Sequence, residues 1–247
     1  MIDQSFFDFE HSNVYGVYGH LGGGKTLTAV SIMIEALKLG HGVTTNIALK
    51  LPDKLQARYN FIDDFSKTDF GSLSWGAPRG SPSKYRHLIC IDEAAEFLDQ
   101  YSSSSKFTQD FLSWLRHSSK RGQIVLLVIQ RPEFLVKSAR LLVNRWILCD
   151  DMSQFRTPFL KIRTFWLSAY CRRILIDRLG NVISRGMNLI KKAEYGKYYD
   201  TSQIIGHFSA NPGELPDMPK SDYSFLIWFF AFVCLAALFV LRLTVCL

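Results

Sequence analysis

The sequence lacks any cysteine or histidine pattern that would bind a metal or build a disulfide framework. Its five cysteines are an odd number without paired spacing, and its six histidines have no ligand spacing. The first residues, MIDQSFFDFEHS, carry acids and no basic segment, unlike a secretory signal. These absences exclude a zinc module and a disulfide-rich secreted domain, and they favour a reducing, cytoplasmic setting for the bulk of the chain.

Internal repeats are also absent, and the composition excludes global disorder. Nearly half of the 247 residues (48%) are hydrophobic, which is enough for a sizeable core. The net charge of +7 favours acidic partners such as a nucleotide, nucleic acid or anionic lipid. This charge is concentrated between Arg156 and Lys197, where ten Lys and Arg residues face only two acids.

Charge is missing from one long segment near the C-terminus. The run FLIWFFAFVCLAALFVL (225–241) has no charged residue, and Tyr223 and Ser224 extend it to 19 residues. As a helix it would measure roughly 28 Å, close to a hydrocarbon core of about 30 Å. A buried core helix is the alternative, but such helices normally carry a polar stripe. We therefore expect a transmembrane helix at 223–241, after a proline-containing linker (209–222) and before a short tail (242–247).

Strand-like and helix-like segments alternate along the first 150 residues. Continuous apolar runs predict buried strands at 14–18, 43–46, 88–91, 124–129 and 145–150. Helical spacing predicts helices at 25–39, from Glu93 onward and at 107–118. This alternation predicts an α/β domain over residues 1–150, with a parallel sheet and helices on both sides. Residues 151–208 predict a basic, β-rich extension with a hairpin turn at 179–181.

The stretch GHLGGGKT matches the phosphate-binding pattern Gly-x4-Gly-Lys-Thr, and it follows a strand and opens a helix. Glycines let backbone N–H groups turn toward phosphate oxygens at a helix N-terminus. Lys25 would reach the β- and γ-phosphates, and the Thr26 hydroxyl would bind Mg²⁺. A chance glycine-rich turn is the alternative. The predicted nucleotide-binding residues are Gly19, Gly22, Gly23, Gly24, Lys25, Thr26 and Leu27.

Two acids follow the buried run LICI and complete the pattern of an ATPase. Asp92, at the strand end, would hold Mg²⁺, and Glu93 would polarise the attacking water as a general base. The alternative is a helix N-terminus that uses acids to complement its dipole. Together with the glycine loop, the pair predicts a P-loop ATPase with ATP and Mg²⁺ as cofactors. Glu96 is expected on the surface.

Further catalytic candidates carry weaker signals. Gln130 ends the strand predicted at 124–129, which would lie beside the first strand, so its side chain could orient water near the γ-phosphate. The alternative is an ordinary loop residue at a strand end. An arginine finger from a neighbouring subunit would stabilise transition-state charge. Its candidates are Arg116, Arg121 and Arg140, each of which could equally be a solvated or DNA-facing base.

Aromatic residues are interspersed in the basic stretch, as in proteins that bind single-stranded nucleic acid. These aromatic residues are Phe159, Phe165, Trp166, Tyr170 and Tyr195. Two alternatives stay open: the aromatics could form an ordinary β-core, and the positive charge could keep this side of the membrane cytoplasmic.

These residues together resemble the Zot (zonula occludens toxin) N-terminal domain family, the gene I-type assembly and export ATPases of filamentous phages. The matching stretches are GHLGGGKTL, the Thr45-Asn46 pair, LICIDE, YGKYYDTSQ (195–203) and WLRHSSKRGQIVLLVIQRPEFLVKSAR. In the last stretch, His117, Lys120, Gly122, Gln130 and Arg140 fall where the family places its own. A single membrane span after this domain also fits.

The resemblance implies a RecA-like, additional-strand P-loop domain that works as a membrane motor. Such a motor uses ATP to extrude single-stranded phage DNA with coat protein through the host inner membrane. The implied partners are other copies of the chain, arranged in a ring, together with membrane-resident coat proteins and single-stranded DNA. The N-terminal domain would be cytoplasmic, where ATP is available, and the C-terminus periplasmic.

Two departures from the family pattern bear on this expectation. The best-known relatives continue past the span into a periplasmic domain that meets an outer-membrane channel, whereas here only 243–247 follow Arg242. That contact is then absent or supplied by another membrane or outer-membrane component. Basic residues around Ser118 and Ser119 are also thinned, which leaves the arginine finger open.

Two other functions remain as alternatives. One is a translocase or packaging ATPase that acts on double-stranded DNA. The other is a membrane scaffold that binds nucleotide without hydrolysing it.

Overall fold

A computed structural model of the chain describes residues 7–9, 14–77, 83–99, 101, 104–154, 167, 169–184 and 188–200. The predicted linker and the apolar run at 223–241 lie outside these ranges. Within the ranges, no helix has the length and apolar character needed to cross a membrane.

Eight strands form one sheet in the spatial order β3-β2-β4-β5-β1-β6-β7-β8. In chain order they are β1 (Val14–Gly19), β2 (Gly42–Thr45), β3 (Tyr59–Phe61), β4 (His87–Ile91), β5 (Gln123–Val128), β6 (Arg145–Asp151), β7 (Tyr170–Asp177) and β8 (Asn188–Lys191). The five predicted strands correspond to β1, β2, β4, β5 and β6. The short edge strand β3 was not predicted.

Strand direction changes at one side of the sheet. The first six strands in this spatial order, from β3 through β1 to β6, are all parallel. Tyr15 of β1 lies opposite Leu126 of β5 and Arg145 of β6. β7 and β8 then continue the same sheet in antiparallel fashion. The sheet is therefore mixed: the predicted parallel core is present, and part of the basic extension adds two strands to its edge.

The helices of the described ranges are short except for two. They are α1 (Lys25–Lys38), α2 (Asp53–Gln56), α3 (Lys106–His117), α4 (Lys137–Arg140) and α5 (Lys192–Gly196). Single 3-10 turns occupy Phe65–Lys67, Ala94–Glu96, Ser118–Arg121, Pro132–Phe134 and Met152–Gln154.

The sheet is covered on both faces, as a parallel arrangement requires. Alternate residues of a strand point to opposite faces, and the buried residues divide in this way. Leu126 of β5 packs in the core that contains α1, while its neighbours Val125 and Leu127 pack in the core that contains α3. The helices thus hold the sheet between two hydrophobic layers and leave its edges for polar residues.

One helix prediction is wrong and one turn prediction is confirmed. No α-helix begins at Glu93: the chain makes a single 3-10 turn, after which Leu98 accepts a hydrogen bond from Val136 N–H and Asp99 pairs with Leu135. This long-range pairing overrides the helical tendency of the local sequence. The predicted turn at 179–181 is present after β7, where Asp177 accepts hydrogen bonds from the backbone N–H groups of Leu179 and Asn181.

Candidate active site

The glycine-rich loop between β1 and α1 lies at the carboxyl edge of the parallel strands. Gly24 precedes α1 with φ of 86°, a left-handed conformation that glycine adopts without steric penalty. A Cβ atom at Gly24 would also lie 2.4 Å from Sγ of Cys171 on β7. α1 has no side-chain cap and no acid in its first turn. The first N–H groups of the helix are therefore available to an anion such as phosphate.

Among the described residues, Lys25 is the only cation that lines the pocket in front of this loop. It is 7% exposed, and its Nζ donates a hydrogen bond to the backbone carbonyl of His20, 3.2 Å away. The hydrogen bond holds the ammonium group against its own loop. A cation next to free backbone N–H groups favours phosphate oxygens as ligands.

Thr26 and Asp92 meet across the pocket. The Thr26 hydroxyl donates a hydrogen bond to Oδ2 of Asp92, 3.0 Å away. The hydroxyl comes from the first turn of α1, and the carboxylate comes from the end of β4. Hydroxyl and carboxylate oxygens are the hard ligands that Mg²⁺ prefers. The arrangement fits the predicted metal site, with nucleotide phosphates and water to complete the coordination.

Asn46 fixes the backbone at Asp92. Its side-chain amide donates to the Asp92 carbonyl (3.0 Å), and its Oδ1 accepts from the Asp92 N–H (2.8 Å). Asn46 follows β2, the strand next to β4, and it is buried. The paired contact joins the two strand ends just beyond their last ladder hydrogen bonds, and it thereby sets the position of the Asp92 carboxylate.

Glu93 has an unusual backbone conformation. Its φ of 49° makes it the one non-glycine residue with positive φ among the described residues. Its N–H donates to Oδ1 of Asp92 (3.0 Å), and its side chain is half-buried in the wall of the pocket. A left-handed glutamate costs on the order of 1 kcal/mol, and such strain concentrates at functional sites. The turn directs the chain away from the helix that the local sequence favours.

Burial changes the protonation of the acids at this site. The pKa of Asp92 is raised from 3.8 to about 6, first by desolvation and then by the charge of Glu93. The hydrogen bonds from Thr26 and from the Glu93 N–H, and the charge of Lys25, act in the opposite direction. A bound cation would stabilise the charged form of such a buried carboxylate, so Asp92 is suited to binding a metal ion. The pKa of Glu96 is raised too, by burial and by Glu93, although Glu96 is exposed as predicted.

The pocket has a volume of about 440 Å³, in the range typical of small-molecule sites. Most of the predicted site residues line it. These are Gly22, Gly24, Lys25, Thr26, Leu27, Asp92 and Glu93.

Gly19 and Gly23 are not among the lining residues and hold the base of the loop. Gly23 N–H donates to the His20 carbonyl at 2.9 Å. Gly19 N–H donates to the carbonyl of Gln130 at 3.4 Å. β5 lies beside β1 as predicted, but the Gln130 side chain is exposed and does not line the pocket. Its role in orienting water stays a prediction.

Sequence reasoning assigned no role to five residues at or beside the pocket. Leu21, Ile47, Tyr199 and Asp200 line the pocket, and Asn46 holds Asp92 from behind it. Four of them occur in the family-like stretches GHLGGGKTL, Thr45-Asn46 and YGKYYDTSQ, whereas Ile47 carried no sequence signal. Their position depends on contacts between distant parts of the chain, which periodicity does not report.

Three basic residues in the described part of the extension make polar contacts within the fold. Arg172 pairs with Asp150 across the β6–β7 ladder (2.6 Å), and Lys192 pairs with Asp151 (2.6 Å). Arg173 is buried and donates to Asn188 on β8. Tyr195 is buried as well, which agrees with the β-core alternative for this residue. Phe159, Phe165 and Trp166 lie outside the described residues.

The three arginine-finger candidates occupy different environments. Arg116 is exposed on α3, and Arg140 is half-buried at the end of α4. The Arg121 guanidinium donates to the Phe70 carbonyl (3.2 Å) and lies 5.3 Å from the ring centre of Trp75. The Arg121 guanidinium is thus held by contacts within the same chain.

The sequence model of the family described as Zonular occludens toxin (Zot) matches residues 13–163, more than half of the chain. The chain belongs to the Zot family. The resemblance drawn from the sequence is confirmed. The matched range includes the glycine loop, Asp92 and Glu93, and it ends before β7, β8 and the pocket residues Tyr199 and Asp200.

The chain is also similar to bacteriophage proteins. It is 29% identical over 208 residues to the Gene 1 protein of Enterobacteria phage I2-2, covering 78% of this chain and 51% of that protein. Against the Gene 1 protein of Enterobacteria phage M13 the identity is 28% over 160 residues, covering 60% and 44%. The chain thus spans about half the length of the phage proteins that it matches.

Solved structures with similar folds include the N-terminal domain of zonular occludens toxin from Neisseria meningitidis. Its TM-score is 0.46 at 17% identity, and the match covers 76% of this chain and 99% of that domain. The ATPase domain of G40P has a TM-score of 0.46 at 12% identity, covering 81% and 90%. The genome packaging NTPase B204 of Sulfolobus turreted icosahedral virus 2, in complex with ATP-gammaS, has a TM-score of 0.38 at 13% identity, covering 75% and 98%.

Proposed function

We propose that this chain is a membrane-anchored ATPase that powers the assembly and export of filamentous phage. The observation that carries the proposal is one pocket in which Lys25, Thr26, Asp92 and Glu93 meet, with Thr26 and Asp92 joined by a 3.0 Å hydrogen bond. A glycine loop, a lysine and two acids at the carboxyl edge of a parallel sheet have the composition needed for nucleoside triphosphate hydrolysis.

Binding comes first in the proposed mechanism. The N–H groups at the start of α1 and the Lys25 ammonium bind phosphate oxygens, and Thr26 and Asp92 would hold Mg²⁺. When bound, Mg²⁺ would supply positive charge to the phosphate oxygens. The Asn46 contact keeps Asp92 in place, so that this part of the site is formed before nucleotide arrives.

Glu93 acts on the attacking water. Its carboxylate accepts the water proton, and the left-handed backbone of Glu93 directs the side chain into the pocket wall rather than along a helix. Hydrolysis in this scheme needs no protein nucleophile, because water attacks the terminal phosphorus directly.

The family and the sequence together support the proposed membrane and assembly roles. The phage relatives are Gene 1 proteins, and the Zot resemblance implies a RecA-like motor that extrudes single-stranded DNA with coat protein. The apolar run at 223–241 supports a single-pass anchor in the host inner membrane, with the ATPase domain in the cytoplasm. A ring of identical subunits, coat proteins and a channel component are the proposed partners.

ATP turnover by the detergent-solubilised full chain tests the proposal. The chain is assayed with Mg²⁺, alone and with single-stranded or duplex DNA, and Lys25→Ala serves as the blank. We expect turnover that disappears in Lys25→Ala and rises with single-stranded DNA. Stimulation by duplex DNA alone would favour a double-stranded DNA translocase. Nucleotide binding without turnover under every condition would favour the non-hydrolysing scaffold.

A further inference from the structure

The last described part of the chain returns to the nucleotide pocket from the far edge of the sheet. This 192–200 segment begins at the end of β8 with α5, which packs on α1: Tyr195 is buried, and its hydroxyl donates to Glu35 (3.2 Å). The segment therefore crosses the outer side of the helix that follows the phosphate loop.

Beyond α5 the segment is joined to the loop after β2. Lys50 N–H donates to the Tyr198 carbonyl at 2.7 Å, and Tyr199 forms an antiparallel bridge with Leu49. These are backbone contacts between residues about 150 positions apart. They bring Tyr199 and Asp200 to the pocket wall together with Leu27 and Ile47.

The two sides of the pocket differ in chemistry. The phosphate loop offers N–H groups and the Lys25 ammonium, which suit phosphate. The 192–200 segment offers an aromatic ring at Tyr199, near the apolar side chains of Leu27 and Ile47, and a carboxylate at Asp200. A carboxylate repels phosphate but accepts hydrogen bonds from hydroxyl groups, and carboxylates commonly hold ribose in nucleotide sites.

We infer that Tyr199 and Asp200 form the nucleoside-binding wall of this pocket. Asp200 accepts hydrogen bonds from the ribose hydroxyls, and the Tyr199 ring packs against the nucleoside. The inference rests on the proposed function, because it requires a nucleoside triphosphate with its phosphates at the glycine loop. It adds a part of the site that lies outside the matched Zot range, residues 13–163.

The electrostatics of Tyr199 agree with its place in the pocket wall. Burial raises the pKa of Tyr199 to about 12, with smaller contributions from Cys171, which lies next to Gly24, and from Asp92. Tyr199 lines the same pocket as Gly24 and Asp92.

Isothermal titration of the detergent-solubilised full chain with Mg²⁺ separates the two halves of the ligand. The probes are ATP, 2′,3′-dideoxy-ATP and inorganic tripolyphosphate, which has the phosphates without the nucleoside. We expect Asp200→Ala to weaken ATP binding about tenfold and to leave tripolyphosphate unchanged. Dideoxy-ATP should bind the wild type and Asp200→Ala equally. Tyr199→Ala should weaken the binding of ATP but not that of tripolyphosphate. Tyr199→Phe should retain the affinity for ATP because it keeps the ring.

Glu194→Ala is the matched control, since it removes another exposed acid from the same segment. This variant should bind ATP and tripolyphosphate with the wild-type affinity. Equal losses for ATP and tripolyphosphate in Asp200→Ala would overturn the inference and place Asp200 at the metal or the phosphates. An unchanged ATP affinity would also overturn it. In either case, the proposed nucleotide site stands if the wild type binds ATP and tripolyphosphate and Lys25→Ala binds neither. A wild type that binds neither ligand would contradict both the proposed function and this inference.

Discussion

Strand β4 has a buried polar side chain at each of its ends, His87 at the amino end and Asp92 just past the carboxyl end, but the two ends differ. At the amino end, His87 Nε2 lies 2.8 Å from the hydroxyl of Thr44 on β2, and Gln123, at the amino end of the neighbouring β5, accepts a hydrogen bond from Trp114 Nε1 (3.0 Å). Burial lowers the pKa of His87 to about 4, so the ring is neutral at neutral pH. The polar groups at this end carry no charge and connect elements of the fold.

The carboxyl end of β4 holds a buried acid and a strained residue instead. Asp92 is buried with a raised pKa, and Glu93 has positive φ. Both features reduce stability, and neither is needed to join the elements of the fold. Polar burial by itself therefore does not mark a functional site in this molecule, whereas a buried acid beside a strained backbone does.

A large effect on turnover is expected at the metal site at the carboxyl end. Thr26→Val removes the hydroxyl that faces Asp92, and turnover should fall roughly 100-fold or more, because Mg²⁺ provides several kcal/mol in such reactions. Thr26→Ser keeps the hydroxyl and should turn over ATP close to the wild-type rate. Steady-state ATP turnover checks both variants, and equal rates for valine and serine would contradict the assignment.

Matched amide deletions compare the two ends directly. Asn46→Ala leaves the N–H and carbonyl of Asp92 without their side-chain partner, and Gln123→Ala does the same to Trp114 Nε1 and the Ser74 carbonyl. Each should cost about 2–3 kcal/mol of unfolding free energy in urea titrations.

Only one of these deletions should affect catalysis. Turnover per folded molecule should fall in Asn46→Ala, because Asp92 loses its fixed position, and stay unchanged in Gln123→Ala. Equal turnover in the two variants would contradict a special role for the carboxyl end.

Asp92→Asn should make the nucleotide-free protein more stable at pH 8, by about 3 kcal/mol. The folded state keeps the Asp92 proton up to about pH 6, while the unfolded chain releases it near pH 3.8. The cost of the buried charge thus grows as pH rises from 4 to 6 and is complete above 6. Urea unfolding at pH 8 and at pH 4.5 measures the difference, which should shrink at the lower pH. A variant less stable than the wild type at pH 8 would contradict the raised pKa.

Glu93→Gly should raise the unfolding free energy by up to about 1 kcal/mol, because glycine adopts positive φ freely. The same variant should lose turnover. Glu96→Gly is the control, because Glu96 lies in the 3-10 turn and does not have positive φ. This variant should be less stable than the wild type by roughly 0.5–1 kcal/mol. Thermal unfolding compares the two, and destabilisation by both glycines would remove the argument from strain.

Sequence patterns identified the part of the site that one local motif contains. The glycine loop, Lys25 and Thr26 lie within a strand–loop–helix unit, and Asp92 ends an apolar run, so residue spacing was enough to find them. The alternation of strands and helices also predicted five of the strands, and the neighbouring positions of β5 and β1 were expected, but the rest of the sheet order was not predicted.

What the sequence did not reveal depends on distant contacts. The helix predicted from Glu93 is replaced by a turn because Leu98 and Asp99 pair near residue 135. The Asn46 contact with Asp92 joins two strands, and the approach of Tyr199 to Leu49 spans most of the domain. Neither the period of the sequence nor a short motif carries such information.

The most direct test of the central claim is the pair Glu93→Gln and Glu96→Gln, compared for ATP binding and for turnover. Both variants replace an acid in the same turn by its neutral isostere. We predict that Glu93→Gln binds ATP like the wild type while its turnover falls about 10²–10⁴-fold, and that Glu96→Gln keeps both properties. A Glu93→Gln variant that hydrolyses ATP at the wild-type rate would contradict the account, because the general base would then lie elsewhere.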